Sequence, residues 1–205
     1  MKKTIVMLLA ILLLPLTCLA GGKKQGKTFT VLQWNIWQEG TMVKGGYEAI
    51  LNELERLRPD YVTFSEVRNY RDDFIARVCK DMAKRGVVYY GFRSDDTGLL
   101  SSTPITVHKT VFPLKDDHGS IYKLETKVCG RRLALYTSHL DYLNDTYYEV
   151  RGVDGNTFKE MEPLTDVDEI LRRNALSMRD KAIANFLKEA KRDQERGFIT
   201  IIGGD

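Results

Sequence analysis

The amino-acid sequence predicts an α+β layered fold, and three observations carry that reading. Runs of β-forming residues outnumber helical runs. Their order mixes hairpins with strand–helix–strand units. A length of 205 residues suits one well-buried domain and is short for two.

The first twenty residues stand apart from that fold. Lys2 and Lys3 precede an unbroken apolar run from Ile5 to Leu14, followed by Pro15 and small residues up to Ala20. That order is a positive n-region, an apolar h-region and a cleavage site, with Cys18 and Ala20 at the small-residue positions. Residues 1–20 are therefore expected to be a signal peptide, and the protein is expected to be exported, periplasmic or secreted. The apolar run falls short of the roughly 20 residues that cross a bilayer. Two alternatives stay open: an anchor that is never cut, and lipid attachment at Cys18. Thr17 is bulkier than the small residue such a lipid site wants before its cysteine.

Cleavage changes the charge balance. Lys2 and Lys3 leave with the signal, so 31 basic residues become 29 against 28 acidic ones. The mature chain is near neutral, and net charge gives no support to binding through phosphate-backbone attraction. Cys79 and Cys129 remain after Cys18 is lost. Two cysteines make no disulfide framework, and both are expected to be buried thiols.

Residues 21–28 read as a polar, glycine-rich leader, and the domain is expected to occupy 29–205. Phe29 to Trp37 alternates as a strand. Tyr47, Ile50, Leu51, Leu54 and Leu57 recur with helical spacing, and Pro59 stops that helix. Tyr61 to Val67 is apolar enough for a strand buried on both faces. Phe74, Ile75, Val78, Cys79 and Met82 mark a second helix ended by Gly86. Strands follow at Val87 to Phe92, Leu99 to Ser102 and Ile105 to Phe112. Ile121 to Val128 and Arg132 to Ser138 form a hairpin about Gly130. Leu143 to Leu164 has no periodicity, and a loop that long inside a domain is usually functional or disordered. One long helix is expected next, with Leu171, Ala175, Met178, Ala182, Phe186 and Ala190 on one face. Thr165 and Asp168 form its capping box, and Gly197 its end. Phe198 to Ile202 is a last strand running into Gly203, Gly204 and Asp205.

Four polar residues end four apolar strands: Asn35, Glu66, His139 and Asp205. Alone, each has an ordinary explanation as a turn former, a solvated cap or a satisfied histidine. As an ordered set they suggest one cleft, because polar groups are costly to bury unless paired or bound to metal. Asn, Asp and Glu are the hard oxygen donors that Mg²⁺ or Ca²⁺ takes, and His can hydrogen-bond a phosphoryl oxygen.

The motifs around these residues resemble those of the endonuclease/exonuclease/phosphatase family. They are Asn35-Ile36-Trp37, Pro59-Asp60-Tyr61-Val62 leading to Ser65-Glu66-Val67, Leu99-Leu100-Ser101-Ser102-Thr103-Pro104-Ile105, Thr137-Ser138-His139-Leu140, and Gly204-Asp205. The resemblance implies a four-layer α/β/β/α sandwich of two mixed sheets, incomplete at its C-terminus. It makes Glu66 the principal metal ligand with Asn35 beside it, for Mg²⁺ or else Mn²⁺ or Ca²⁺. It makes His139 the contact to the scissile phosphate, Asp205 the group that orients or activates water, and Arg179 a structural arginine. Ser65 stands where the family usually has Gln. The chain stops at Asp205, before the family's following Asn and its C-terminal Asp-His pair, so a fragment of a longer protein is expected, inactive and poorly folded by itself.

The implied activity is hydrolysis of a phosphodiester or phosphomonoester by in-line attack of water. Nucleic acid, phospholipid head group and sugar phosphate all remain open as the phosphoester substrate. Arg68, Arg71, Arg93 and Arg151 lie near the motif-bearing loops, and Arg151, between Val150 and Gly152, is the candidate phosphate contact. The competing reading is a non-catalytic binding module that keeps the fold.

Overall fold

The computed structural model describes residues 28–115 and 119–205. The expected signal peptide, Cys18 and all but the last residue of the polar leader lie outside them. Among the described residues no helix is long and apolar enough to cross a membrane.

The element order is β1 (Val31–Asn35), α1 (Gly46–Leu57), β2 (Tyr61–Val67), α2 (Phe74–Lys84), β3 (Tyr90–Phe92), β4 (Asp96–Ser101), β5 (Val107–Phe112), β6 (Gly119–Val128), β7 (Arg131–Leu140), α3 (Thr146–Glu149), α4 (Val167–Asn174), α5 (Arg179–Glu195) and β8 (Ile199–Gly204). They build two four-stranded sheets, ordered β1-β2-β4-β3 and β5-β6-β7-β8. Both sheets are mixed. β1 runs parallel to β2 and β7 parallel to β8, and the other pairs are antiparallel.

Side-chain alternation divides the interior into three apolar layers, as four stacked layers require. On the outer face of the first sheet, Ile50, Leu51 and Leu54 of α1 and Phe74, Ile75 and Val78 of α2 pack on Val62 and Phe64. Between the sheets lie Tyr61, Leu99, Leu124, Leu133 and Leu135. Behind the second sheet, Ala182 and Ala190 of α5 cover Ile121, Ala134 and Tyr136. In β7, Leu133 and Leu135 thus face inward while Ala134 and Tyr136 face the helix. The sandwich expected from the sequence is the one observed.

A charged network also joins α5 to the second sheet. Lys123, only 1% exposed, places its ammonium 2.9 Å from Glu125, 2.9 Å from Glu189 and 3.0 Å from Asp193. Lys109 and Arg196 add further pairs to Glu189, Glu125 and Asp193. The Tyr136 hydroxyl donates to Asp193.

Several expectations need correction. The long helix is broken into α4 and α5 by residues 175–178, and Leu171 is exposed. The break has a cause distant in sequence. The Asp141 carboxylate accepts the Met178 N–H at 2.8 Å and the Ser177 hydroxyl at 3.0 Å, so it holds the start of α5 from the residue just after β7. The cap of α4 is Asp166, which accepts the Glu169 N–H at 2.8 Å, rather than Thr165. The strand expected from Val87 shortens to Tyr90–Phe92, while β4 begins earlier than expected, at Asp96. Cys79 is half-buried, but Cys129 is exposed, because it sits with positive φ in the β6–β7 turn. The aperiodic segment after β7 holds the short helix α3 and a bridge between Val153 and Glu160.

Candidate active site

The parallel pairs β1–β2 and β7–β8 end at the same rim of the sandwich. Two hydrogen bonds lock that rim across the sheets: Ser65 Oγ donates to the Ser138 carbonyl at 3.2 Å, and Thr137 Oγ1 to the Phe64 carbonyl at 3.2 Å. Ser65 is therefore a sheet-to-sheet tie. Glycine lets β8 approach closely. A Cβ on Gly204 would lie 1.8 Å from Ser138 Oγ and 2.5 Å from the Ser138 carbonyl oxygen.

Three of the four predicted residues meet directly at this rim. The Asn35 amide nitrogen donates to Glu66 Oε1 at 2.8 Å and to Asp205 Oδ2 at 2.6 Å. Its oxygen accepts the Trp37 N–H at 2.8 Å. Glu66 sits at a bulge in β2 with φ of 66°, which turns its side chain out of the strand alternation. Its second oxygen accepts the Gln38 N–H at 2.9 Å.

The chain after β1 makes an unusual turn. Trp37, Gln38, Glu39 and Gly40 all have positive φ, from 42° to 73°. The Gly40 N–H closes it on the Ile36 carbonyl at 2.7 Å. Left-handed backbone costs about 1–2 kcal/mol for each non-glycine residue. The turn is held by the end of β2: Glu39 N–H bonds the Glu66 carbonyl at 3.1 Å, and the buried Glu39 carboxylate pairs with Arg77 at 3.1 Å. Strain of this kind persists where the surroundings over-determine it, and it concentrates at functional sites.

His139 completes the rim through a residue that sequence reasoning missed. Its Nδ1 lies 2.7 Å from Asp96 Oδ2, and Arg68 Nη1 lies 2.9 Å from Asp96 Oδ1. Asp96 is 2% exposed and has φ of 66°. Burial alone lowers the imidazole's proton affinity. The hydrogen bond and charge of Asp96, with the charge of Asp205, more than reverse that, against a smaller opposing effect of Arg68, and His139 titrates above the ordinary imidazole range. Because Asp96 takes Nδ1–H, the second proton resides on Nε2.

The remaining candidates are placed as follows. Arg179 gathers the end of β7, donating to the carbonyls of Asp141 at 2.7 Å, Leu143 at 3.2 Å and Asn144 at 3.0 Å. That is the structural role its resemblance implied. Arg151 lies outside the rim cluster, with its guanidinium over the Tyr147 ring and Nη1 on the Tyr147 hydroxyl at 2.8 Å.

Among the described residues no group of three or more His, Cys, Asp or Glu is placed to hold a metal. Two carboxylates, Glu66 and Asp205, instead converge on one neutral amide. Mg²⁺ suits such a site, because it is usually held by one or two carboxylates, waters and substrate phosphate rather than by an all-protein cage.

No family model matches the chain, and no curated protein matches it. Solved structures do. The human Nocturnin catalytic domain with bound sulfate anion matches at TM-score 0.52 and 19% identity, over 86% of this chain and 63% of that one. The chain has the endonuclease/exonuclease/phosphatase fold. A humanized D. rerio TDP2 is similar at TM-score 0.46 and 21% identity, over 60% of this chain and 55% of that one. An endonuclease/exonuclease/phosphatase from Beutenbergia cavernae is similar at TM-score 0.44 and 16% identity, over 58% and 39%. The chain thus spans between about two fifths and two thirds of the length of these endonuclease/exonuclease/phosphatase-fold structures.

Proposed function

We propose that this site hydrolyses a phosphoester by in-line attack of water, in an exported protein that depends on a divalent cation. The observation that carries the reading is the convergence of Asn35, Glu66 and Asp205 beside a His139 whose Nδ1 is held by Asp96. A cation on Glu66, with Asn35 beside it, would neutralise charge on the phosphoryl oxygens and leaving group. His139, carrying its second proton at Nε2, donates to a non-bridging oxygen whose charge grows in the transition state. The Asp205 carboxylate orients the attacking water and takes its proton. Asn35 fixes the two carboxylates relative to each other, so the site is pre-set before substrate arrives.

The test is turnover of bis-p-nitrophenyl phosphate by the full-length protein in Mg²⁺ or Mn²⁺, with and without chelator. Chelator-sensitive turnover that disappears in Glu66→Gln supports the reading. Ligand binding without turnover under any metal favours the non-catalytic module instead. Export rests on Lys2, Lys3 and the Ile5–Leu14 run. N-terminal sequencing of exported material checks it, and retained Met1 rules out cleavage.

A further inference from the structure

Four rings of the segment after β7 form one exposed aromatic surface. Phe158 lies parallel to Tyr142 with ring centroids 6.5 Å apart, and meets Tyr148 edge-on at 5.7 Å. Tyr148 meets Tyr147 at 5.8 Å. All four residues stay between 38% and 60% exposed. We infer that this surface docks a basic segment of a partner polypeptide, held by its lysine and arginine side chains. The inference concerns a partner and stands independently of the chemistry at the rim.

Contiguity is the first argument. Apolar residues exposed singly are normal on a protein surface, whereas joined ones mark interaction sites. These four meet ring to ring. They are not a small core of the segment itself, because rings packed in such a core would lose most of their exposure. Phe158 also stands at φ of 57°, a conformation that a bulky side chain rarely takes. Strain of that kind concentrates where a residue serves a function.

Charge is the second argument, and it selects the partner. Residues 142–164 hold five acidic side chains and two basic ones. Glu160 and Glu162 are exposed, and among the described residues neither forms an ion pair. One of the two bases already lies on the rings. The Arg151 guanidinium is 5.2 Å from the centre of the Tyr147 ring, with Nη1 2.8 Å from its hydroxyl. The chain thus displays within itself the contact it offers a partner, a cation over a ring. A polyanion such as nucleic acid or an anionic membrane meets net negative charge here and is repelled.

Spacing is the third argument. Neighbouring ring centres lie 5.7 to 6.5 Å apart, close to the roughly 6.6 Å between alternate residues of an extended chain. An extended segment with Lys or Arg at alternate positions therefore brings successive cations to successive rings. Glu160 and Glu162 follow Phe158 on a return run held by the Met161 N–H on the Gly152 carbonyl at 2.9 Å. They supply the opposite charge beside the rings.

The test uses the full-length protein and a dodecapeptide of alternating arginine and serine, with the glutamate–serine counterpart as control. Binding is read by fluorescence anisotropy at about 0.15 M salt, where attraction between distant exposed charges is largely screened. The arginine peptide should bind saturably and the glutamate peptide should not. Two double variants, Tyr142→Ser with Phe158→Ser and Glu160→Gln with Glu162→Gln, should each weaken binding about tenfold, as loss of two exposed cation–ring or charge contacts does. Amide shifts of the labelled wild type should change within 142–164, and this arm decides alone if a variant fails to fold. The proposal is overturned by absence of saturable binding, by weakening under about threefold in either folded variant, or by amide shifts that fall elsewhere. Binding of phosphatidylcholine vesicles or oligothymidylate in place of the peptide, lost in the Tyr142→Ser, Phe158→Ser variant, overturns it in favour of a membrane or nucleic-acid surface.

Discussion

Asp96 Oδ2 and His139 Nδ1 lie 2.7 Å apart, joining the start of a strand in one sheet to the end of a strand in the other. Replacing the carboxylate by an amide removes the charge but keeps the burial. In Asp96→Asn the His139 pKa should therefore fall, read by NMR titration of the ring protons. A raised folded-state pKa contributes stability below the unfolded value of about 6.5, lost as pH rises through the folded pKa. Asp96→Asn should flatten that pH dependence in urea melts. On the proposed mechanism His139→Ala should cost on the order of 10²–10³ in rate, as loss of one transition-state donor does.

Glu66→Gln should abolish metal-dependent hydrolysis while leaving the fold standing. The amide keeps the size of the side chain and one oxygen for the Gln38 N–H, so the thermal melt should shift little. Near-normal, chelator-insensitive turnover in this variant would show the ligand assignment to be wrong.

Lys123 predicts a large stability effect far from any chemistry. Lys123→Met leaves Glu125, Glu189 and Asp193 without their shared ammonium, in a place where water cannot replace it. Breaking one partner of a buried charge network costs about 3–5 kcal/mol, measurable by urea denaturation. Burial raises the Glu189 pKa, but Lys109 and Lys123 outweigh it and hold the group at about 2. The stability it contributes is present above its unfolded value of about 4.5 and is lost as pH falls toward 2. Acid melts of the wild type should show that loss, and Lys109→Met should reduce it.

Gly204→Ala should push β8 away from β7 within the second sheet, at the rim. The new methyl meets a backbone carbonyl as well as the Ser138 hydroxyl, so Ser138→Ala in the same chain should not rescue it. Overpacking of this kind costs about 1–3 kcal/mol. A melt close to wild type in the single variant would contradict the close approach of β7 and β8.

How much of this was legible in the sequence depends on whether a feature is local. Asn35, Glu66, His139 and Asp205 each end an apolar run, and strand pattern alone marks them. Asp96 follows Ser94 and Asp95, a pair that reads as a turn. Only the pairing of Val67 with Asp96, across the bulge at Glu66, brings it under His139. An aspartate three residues ahead of the expected Leu99–Ser102 strand was its only trace in the sequence. The helix break was hidden because Leu171, Ala175, Met178 and Ala182 keep helical spacing straight through it. What interrupts them is Asp141, more than thirty residues away. The left-handed turn at Trp37–Gly40 was equally invisible, since three of its residues are ones that normally avoid that conformation.

Arg179 and Asp141 together fasten both ends of the segment between β7 and α5. Asp141 holds the start of α5 at one end, and Arg179 clasps the chain leaving β7 at the other. Inside those fasteners the segment closes on itself, with Asn144 bonded to Asn156 and Val153 bridged to Glu160. In engineering terms it is a cassette with standardised ends. Changes inside it should therefore reach the rim weakly, because both of its ends are tied independently of what lies between them.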